Sequence, residues 1–175
     1  MINRREFARI GTLVVGNLMA LALAVPGVAY LLDPLRRGSR ASAFRELARL
    51  SHLKVGVPLA VPVVEAREDA WVKYPPEPVG LVWLIRQPEQ AKERVIAFTA
   101  ECPHLGCAIN LSGDGKSFLC PCHTSAFKFD GTPLNQVPPR GMDRLDVSLS
   151  DDADPTVKVK FERFRTQSEE RIPLG

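Results

Sequence analysis

Cys102-Pro103-His104-Leu105-Gly106-Cys107 and Cys120-Pro121-Cys122-His123-Thr124-Ser125 decide how this chain is read. All four cysteines and two of the three histidines fall in these two hexapeptides. Cys and His spaced so closely put soft thiolates and imidazoles on two tight loops. Three readings of the residues compete. A pair of structural disulfides suits an oxidising compartment but leaves both histidines without a role. Structural zinc of the two-Cys, two-His kind takes its cysteines from one side and its histidines from the other, whereas each segment here carries both types. An iron–sulfur cluster with two thiolates on one iron and two imidazoles on the other gives the histidines work. The third histidine, His52, lies far from both boxes and reads as a solvated side chain.

Working outward, short β-rich runs alternate with turn residues. The runs are Pro58–Val64, Val79–Arg86, Val95–Ala100, Cys107–Leu111, Ser117–Leu119, Ala126–Phe129, Arg144–Leu149 and Val157–Phe161. Between them stand Pro75-Pro76, Gly113-Asp114-Gly115, Asp130-Gly131 and Pro138-Pro139. No long helical pattern follows Leu50, so the fold class is mostly β, an antiparallel domain. Trp71, Trp83 and Phe98 read as core residues. The 175 residues hold 12 glycines and 15 prolines, in keeping with many turns. A length of 175 residues excludes a large α/β barrel or two doubly wound domains. With 23 Lys plus Arg against 20 Asp plus Glu, the charge is too balanced to argue for nucleic acid, and 7% aromatic content gives no stacking platform for single strands.

C-x-H-x-G-C followed by C-x-C-H-x-S resembles the Rieske pattern, and the likeness extends from about Ala97 to Val147. The resemblance implies an antiparallel β Rieske domain with a cluster-binding subdomain and one 2Fe–2S cluster. It implies that Cys102 and Cys120 bind one iron, that His104 and His123 bind the other, and that Ser125 bonds to a bridging sulfide. It further implies that Cys107 and Cys122 form a disulfide tying the two loops together. Neutral imidazoles in place of two anionic thiolates leave the cluster less negative. Its potential then lies somewhere between about −150 and +300 mV, above ferredoxin types. An imidazole can also take up a proton when its iron is reduced, which couples proton and electron transfer at His104 and His123.

Cys107 and Cys122 also bear on the branch of that family. Ferredoxins and oxygenases with this cluster normally carry only the two ligand cysteines. The additional pair resembles the high-potential branch, which serves quinol–cytochrome c oxidoreductases of the cytochrome bc type and their plastoquinol relatives. The segment Asn135-Gln136-Val137-Pro138-Pro139-Arg140-Gly141-Met142-Asp143-Arg144-Leu145 is similar to that branch's proline loop and the strand entry after it, without the usual Gly-Pro-x-Pro start. Thr124 stands where the family often has Gly, and would be strained if the position needs φ > 0. Phe127 stands where high-potential members have Tyr, whose hydroxyl bonds to a ligand sulfur. Losing that donor predicts a potential low in the range, suited to menaquinol.

The N-terminal part reads differently. Ile10–Leu32 is uncharged over 23 residues. As a helix it would be ~34 Å long, enough to cross a ~30 Å hydrocarbon core, with Pro26 and Gly27 tolerated there. A buried core helix is the alternative. Before it, Asn3-Arg4-Arg5-Glu6-Phe7-Ala8-Arg9 resembles a twin-arginine export signal, with Asn3, Ala8 and Arg9 departing from the usual pattern. Ala20-Leu21-Ala22 and Ala22-Leu23-Ala24 fit a cleavage pattern, but the apolar run continues to Leu32 and favours a retained anchor. Arg36, Arg37, Arg40, Arg45 and Arg49 follow the span, and a simple count of positive charge would place that side in the cytoplasm. The export signal is given precedence over that count.

The expected organisation is therefore a cytoplasmic segment 1–9, a transmembrane helix 10–32, a flexible tether 33–51, the Rieske domain 52–165 and a polar tail 166–175. Phe44, Leu47 and Leu50 suggest a short helix within the tether. By resemblance the chain is expected to be the Rieske subunit of a membrane quinol–cytochrome c oxidoreductase, acting as an electron-transfer subunit without a complete active site of its own. Its expected partners are a cytochrome b subunit, a c-type cytochrome, quinol and membrane lipid. Leu105 and Gly106 would form the cluster tip, and His123 would meet the quinol. The expected location is a bacterial inner membrane, single-pass, with the head on the periplasmic side. The small subunit of an arsenite oxidase is the alternative, and a structural protein held by disulfides or zinc is the third reading.

Overall fold

A computed structural model describes residues 3–36, 43–66, 68–69 and 72–174. The chain divides into an N-terminal helical unit and a folded body whose described residues begin at Ala43. Trp71, expected in the core, lies outside the described residues.

Helix α1 runs over Arg4–Arg36. Its start follows from a capping box: the Asn3 side chain accepts the Arg5 N–H at 3.4 Å, and Glu6 Oε2 accepts the Asn3 N–H at 3.3 Å. The helix therefore includes Arg4, Arg5 and Arg9 as well as the uncharged run. Within Arg4–Asp33 an 18-residue window has a mean hydropathy of 1.9, and the apolar side chains are exposed, so the helix is long and apolar enough to cross a membrane.

The body is built of strands. In chain order they are β1 (Phe44–Arg49), β2 (Pro58–Glu65), β3 (Glu68–Asp69), β4 (Val72–Lys73), β5 (Glu77–Arg86), β6 (Val95–Thr99), β7 (Asn110–Leu111), β8 (Phe118–Leu119), β9 (Ala126–Phe127), β10 (Arg144–Leu149), β11 (Thr156–Lys160), β12 (Arg163–Phe164) and β13 (Pro173–Leu174). Six of them form an antiparallel sheet in the order β1-β11-β10-β6-β5-β2. β7, β8 and β9 make a small three-stranded sheet of their own, and β12 pairs with β13.

The alternation of β5 explains how two cores share one wall. Successive strand residues point to opposite faces. Val82 and Leu84 enter one core with Leu50, Leu53, Val63, Val157 and Val159. Trp83 and Ile85 enter the other with Ile109, Phe118, Phe127, Cys102 and Cys120. β6 does the same, sending Val95 and Ala97 one way and Phe98 the other. Each fully buried aliphatic or aromatic side chain contributes about 1.5–3 kcal/mol of burial free energy. Trp83 also donates its indole N–H to the Ile109 carbonyl at 3.0 Å, so its one polar atom is satisfied within the core.

The second core belongs to an insertion between β6 and β10. Its neck is held by the Thr99 N–H donating to the Asp143 carbonyl at 3.0 Å, beside the β6–β10 pairs Phe98↔Arg144 and Ala97↔Leu145. Both hexapeptides hang from this neck.

Three segments differ from the sequence expectation. Residues 44–49 are strand β1, not a helix or a loose tether, and Leu50–His52 is one 3₁₀ turn. A register shift between Glu46 and Ala48 breaks the two-residue alternation there, and the resulting spacing of Phe44, Leu47 and Leu50 mimics a helical face. His52 is exposed, as read. The short pair β3–β4 had no distinct signal. The tail returns to the body, with β13 on β12 and Arg171 over the Phe164 ring at 4.6 Å. The part of the expected tether at 37–42 lies outside the described residues.

Candidate metal centre

The two boxes fold as near copies of one loop. In the first, the Cys102 N–H donates to the Cys107 carbonyl and the Gly106 N–H to the Cys102 carbonyl, each at 2.8 Å. In the second, the Cys120 N–H donates to the Ser125 carbonyl at 2.8 Å and the Thr124 N–H to the Cys120 carbonyl at 3.1 Å. The fifth residue of each loop turns the chain through positive φ, Gly106 at +77° and Thr124 at +61°. Glycine takes that conformation without penalty, whereas a β-branched residue there is strained by about 1–2 kcal/mol. Thr124 holds it with its hydroxyl donating to the His123 carbonyl at 2.7 Å and its own carbonyl accepting the Asn135 Nδ2–H at 2.7 Å.

Asn135 opens the proline-containing segment that leads into β10. Its Oδ1 also lies 3.5 Å from the Ala126 nitrogen and 3.4 Å from the Val137 nitrogen, so one side chain lashes this segment to the second loop. Pro138, further along this segment, is buried. Between the loops, Cys107 and Cys122 form a disulfide with Cα atoms 6.5 Å apart and a sequence separation of 15. Closing a loop of that length restrains the unfolded chain by about 3 kcal/mol in the chain-entropy view.

The remaining donors face one another. Cys102 and Cys120 are free thiols, each 1% exposed. Burial pushes the Cys102 thiol up, Cys120 adds to that, and the His104 N–H pulls the other way. The His104 and His123 rings meet edge to face with centroids 4.9 Å apart. His123 is exposed and His104 half-buried. Two polar atoms here are buried without a satisfying partner: His104 Nδ1 and Ser125 Oγ. Buried polar atoms left unpaired are costly and rare, so a pair of them on adjoining loops marks a place built for another group.

The residues present fit a binuclear iron–sulfur group. Two buried thiols and two imidazoles could supply four ligands, and the orphaned Ser125 hydroxyl could donate to a sulfide, which a zinc ion does not offer. Cys107, Cys120 and Cys122 place their sulfurs within 4.8 Å of one another, but the disulfide removes Cys107 and Cys122 as thiolates. Of the other residues read from sequence, Phe127 is fully buried in the second core, which also takes Phe98 and Trp83. Leu105 is 43% exposed at the tip of the first loop. The grip of Asn135 and the pairing of Arg140 with Asp143 left no sequence signal beyond their place in the proline-containing segment.

Comparison with known proteins agrees with this geometry. The family model described as Rieske [2Fe-2S] domain matches residues 47–146. The chain is 28% identical over 141 residues to the menaquinol:cytochrome c reductase iron-sulfur subunit of Bacillus subtilis, covering 79% of this chain and 80% of that one. It is 27% identical over 154 residues to the protein of the same description from Geobacillus thermodenitrificans, covering 86% and 88%. Among solved structures, a chain of a hyperthermophilic respiratory Complex III aligns with 82% of this chain and 97% of its own, at 18% identity and a TM-score of 0.45. With more than half of its length matched by that model and its paired loops shaped for the group, the chain belongs to the Rieske [2Fe-2S] domain family.

Proposed function

We propose that this chain is the iron–sulfur subunit of a membrane quinol–cytochrome c oxidoreductase, and that its quinol is menaquinol. The observation that carries the reading is the pair of imidazoles set edge to face at 4.9 Å, one exposed and one half-buried, on loops joined by a disulfide. The two relatives that span most of this chain are described as menaquinol:cytochrome c reductase subunits, which supports the same assignment.

In this reading Cys102 and Cys120 would hold one iron, and His104 and His123 would hold the other. When bound, the cluster supplies one-electron storage at a potential raised by its two neutral ligands. The chain's own residues do the rest. His123, the exposed ring, accepts a hydrogen bond from the quinol hydroxyl and holds the proton on its outward nitrogen. Leu105 and Gly106 offer an apolar tip that excludes water around that contact. The N–H of His104 stabilises negative charge at Cys102, and the orphaned Ser125 hydroxyl would donate to a sulfide. The disulfide keeps the loops together while ligands and solvent exchange around them. Helix α1 anchors the chain in a bacterial inner membrane, with the head on the outer side, where the disulfide persists. The arginine-rich start acts as an export signal for a head that folds in the cytoplasm. The head takes one electron from quinol at a cytochrome b partner and passes it to a c-type cytochrome.

The test is purification from membranes followed by iron and sulfide analysis, low-temperature EPR and quinol-dependent cytochrome c reduction. A Rieske EPR signal that His123→Ala abolishes, with co-purifying haem subunits, is the expected result. A loaded protein whose signal survives His123→Ala removes His123 from the ligand set. Reduction by arsenite and not by quinol assigns the chain to an arsenite oxidase instead.

A further inference from the structure

The residues beyond β11 come back to the first loop at three points. Arg163 pairs with Glu101, one residue before Cys102, through Nε at 2.8 Å and Nη2 at 2.7 Å. Thr166 lies against the turn, so that a Cβ added at Gly106 would sit 3.7 Å from Thr166 Cγ2. The Gln167 N–H donates to the Pro103 carbonyl at 2.9 Å. Gln167 does this at φ +57°, and with Thr124 it is one of two non-glycine residues at positive φ among those described. Such a conformation persists only where the surroundings enforce it, and it clusters at functional sites.

The enforcing group is Arg140. Its Nε and Nη2 grip the buried Asp143 carboxylate at 2.8 and 2.7 Å. Its Nη2 also donates to the Arg165 carbonyl at 2.9 Å, and its Nη1 to that of Ser168. From the other side, the Arg165 N–H donates to the Ile172 carbonyl at 2.9 Å. The segment is thus pinned at both edges, and Gln167 is presented to Pro103.

We infer that residues 163–168 form a strap that fixes the first loop, with Gln167 and Arg140 as positioning residues for the His104 imidazole. The inference rests on the reading that the two loops hold the cluster. Pro103 joins Cys102 to His104. Holding its carbonyl sets the rotation of the peptide that leads into His104, and with it the direction in which the imidazole leaves the backbone. The second loop has its own backbone clamp in Asn135, on the Thr124 carbonyl. The strap gives the first loop its equivalent, from a different part of the chain.

The experiment compares Gln167→Gly and Gln167→Pro in the full-length, cluster-loaded protein in detergent. Glycine keeps the N–H and takes positive φ freely, whereas proline has neither the donor nor access to that φ. Q167G is expected to release iron to a chelator at the wild-type rate with wild-type EPR g-values. Q167P is expected to release it about tenfold faster, the scale of an outer-shell loss at a metal site, with shifted g-values and unchanged far-UV circular dichroism. Arg140→Lys keeps the cation at Asp143 but loses the fork that spans both carbonyls, and should move in the same direction. It decides the matter if Q167P does not accumulate. Wild-type release rates and superimposable spectra in Q167P, or in R140K where Q167P is absent, overturn the strap. Wild-type protein without iron and sulfide overturns the cluster reading, and the strap's role with it.

Discussion

Replacing Arg140 by Ala tests how the neck of the cluster subdomain is held. The Arg140 and Asp143 side chains are 10% and 4% exposed and are joined by two charge-assisted hydrogen bonds. No other partner of the Asp143 carboxylate is present among the described hydrogen bonds. Arg140→Ala therefore strands a buried carboxylate, at a cost of about 3–5 kcal/mol. For a body of this size, where each kcal/mol moves Tm by about 3–5 °C, the expected drop is roughly 10–20 °C. The double variant Arg140→Met with Asp143→Leu removes both charges and fills the space, leaving only two strap carbonyls to be hydrated. Its expected cost is about 1–2 kcal/mol. The assay is thermal unfolding of the full chain in detergent by near-UV circular dichroism at fixed scan rate. A double variant as unstable as Arg140→Ala, or a single variant within about 3 °C of wild type, refutes the stranded-charge argument.

Three further outcomes follow from the site. Phe127→Tyr puts a hydroxyl into the fully buried second core that also holds Cys102 and Cys120. If it donates to a ligand thiolate it favours the reduced state, and about 1 kcal/mol of such preference raises the potential by ~40 mV in protein-film voltammetry; an unchanged or lower potential contradicts the account of Phe127. Thr124→Gly relieves the positive φ and should stabilise the body by about 1 kcal/mol in denaturant melts, with destabilisation as the refuting result. Asp130 accepts the Thr132 N–H at 2.8 Å, and that bond holds its carboxyl below the usual range. The folded pKa being the lower one, this stabilisation is complete above about pH 4 and is lost as pH falls through the folded value, so Asp130→Asn should flatten the acid limb of Tm against pH.

The long β-rich runs were legible because local pattern and burial agree. Arg144–Leu149 forms a strand over the residues read from its pattern, and β2, β5, β6 and β11 fall within a residue or two of the runs. The boxes were legible for a different reason: their donors are chemically distinctive wherever the chain puts them. The disulfide between Cys107 and Cys122 followed from family resemblance, since four cysteines on two loops allow several pairings. What sequence did not show is held by long-range contacts of ordinary residues. Arg140, Asp143, Asn135 and Gln167 have no rare chemistry, and their roles depend on partners distant in the chain, as for Gln167 on Pro103. Strand β1 was hidden by its bulge, which changes the spacing of Phe44 and Leu47.

The shared wall of β5 and β6 constrains how this sequence can drift. Adding or deleting one residue inside 82–85 would exchange the occupants of the two cores, pushing Trp83 into space shaped for Val and Leu and withdrawing its bond to Ile109. Length variation within the lineage should therefore accumulate in the connections, such as the stretch between β5 and β6, while these two strands keep their residue count even where their side chains change.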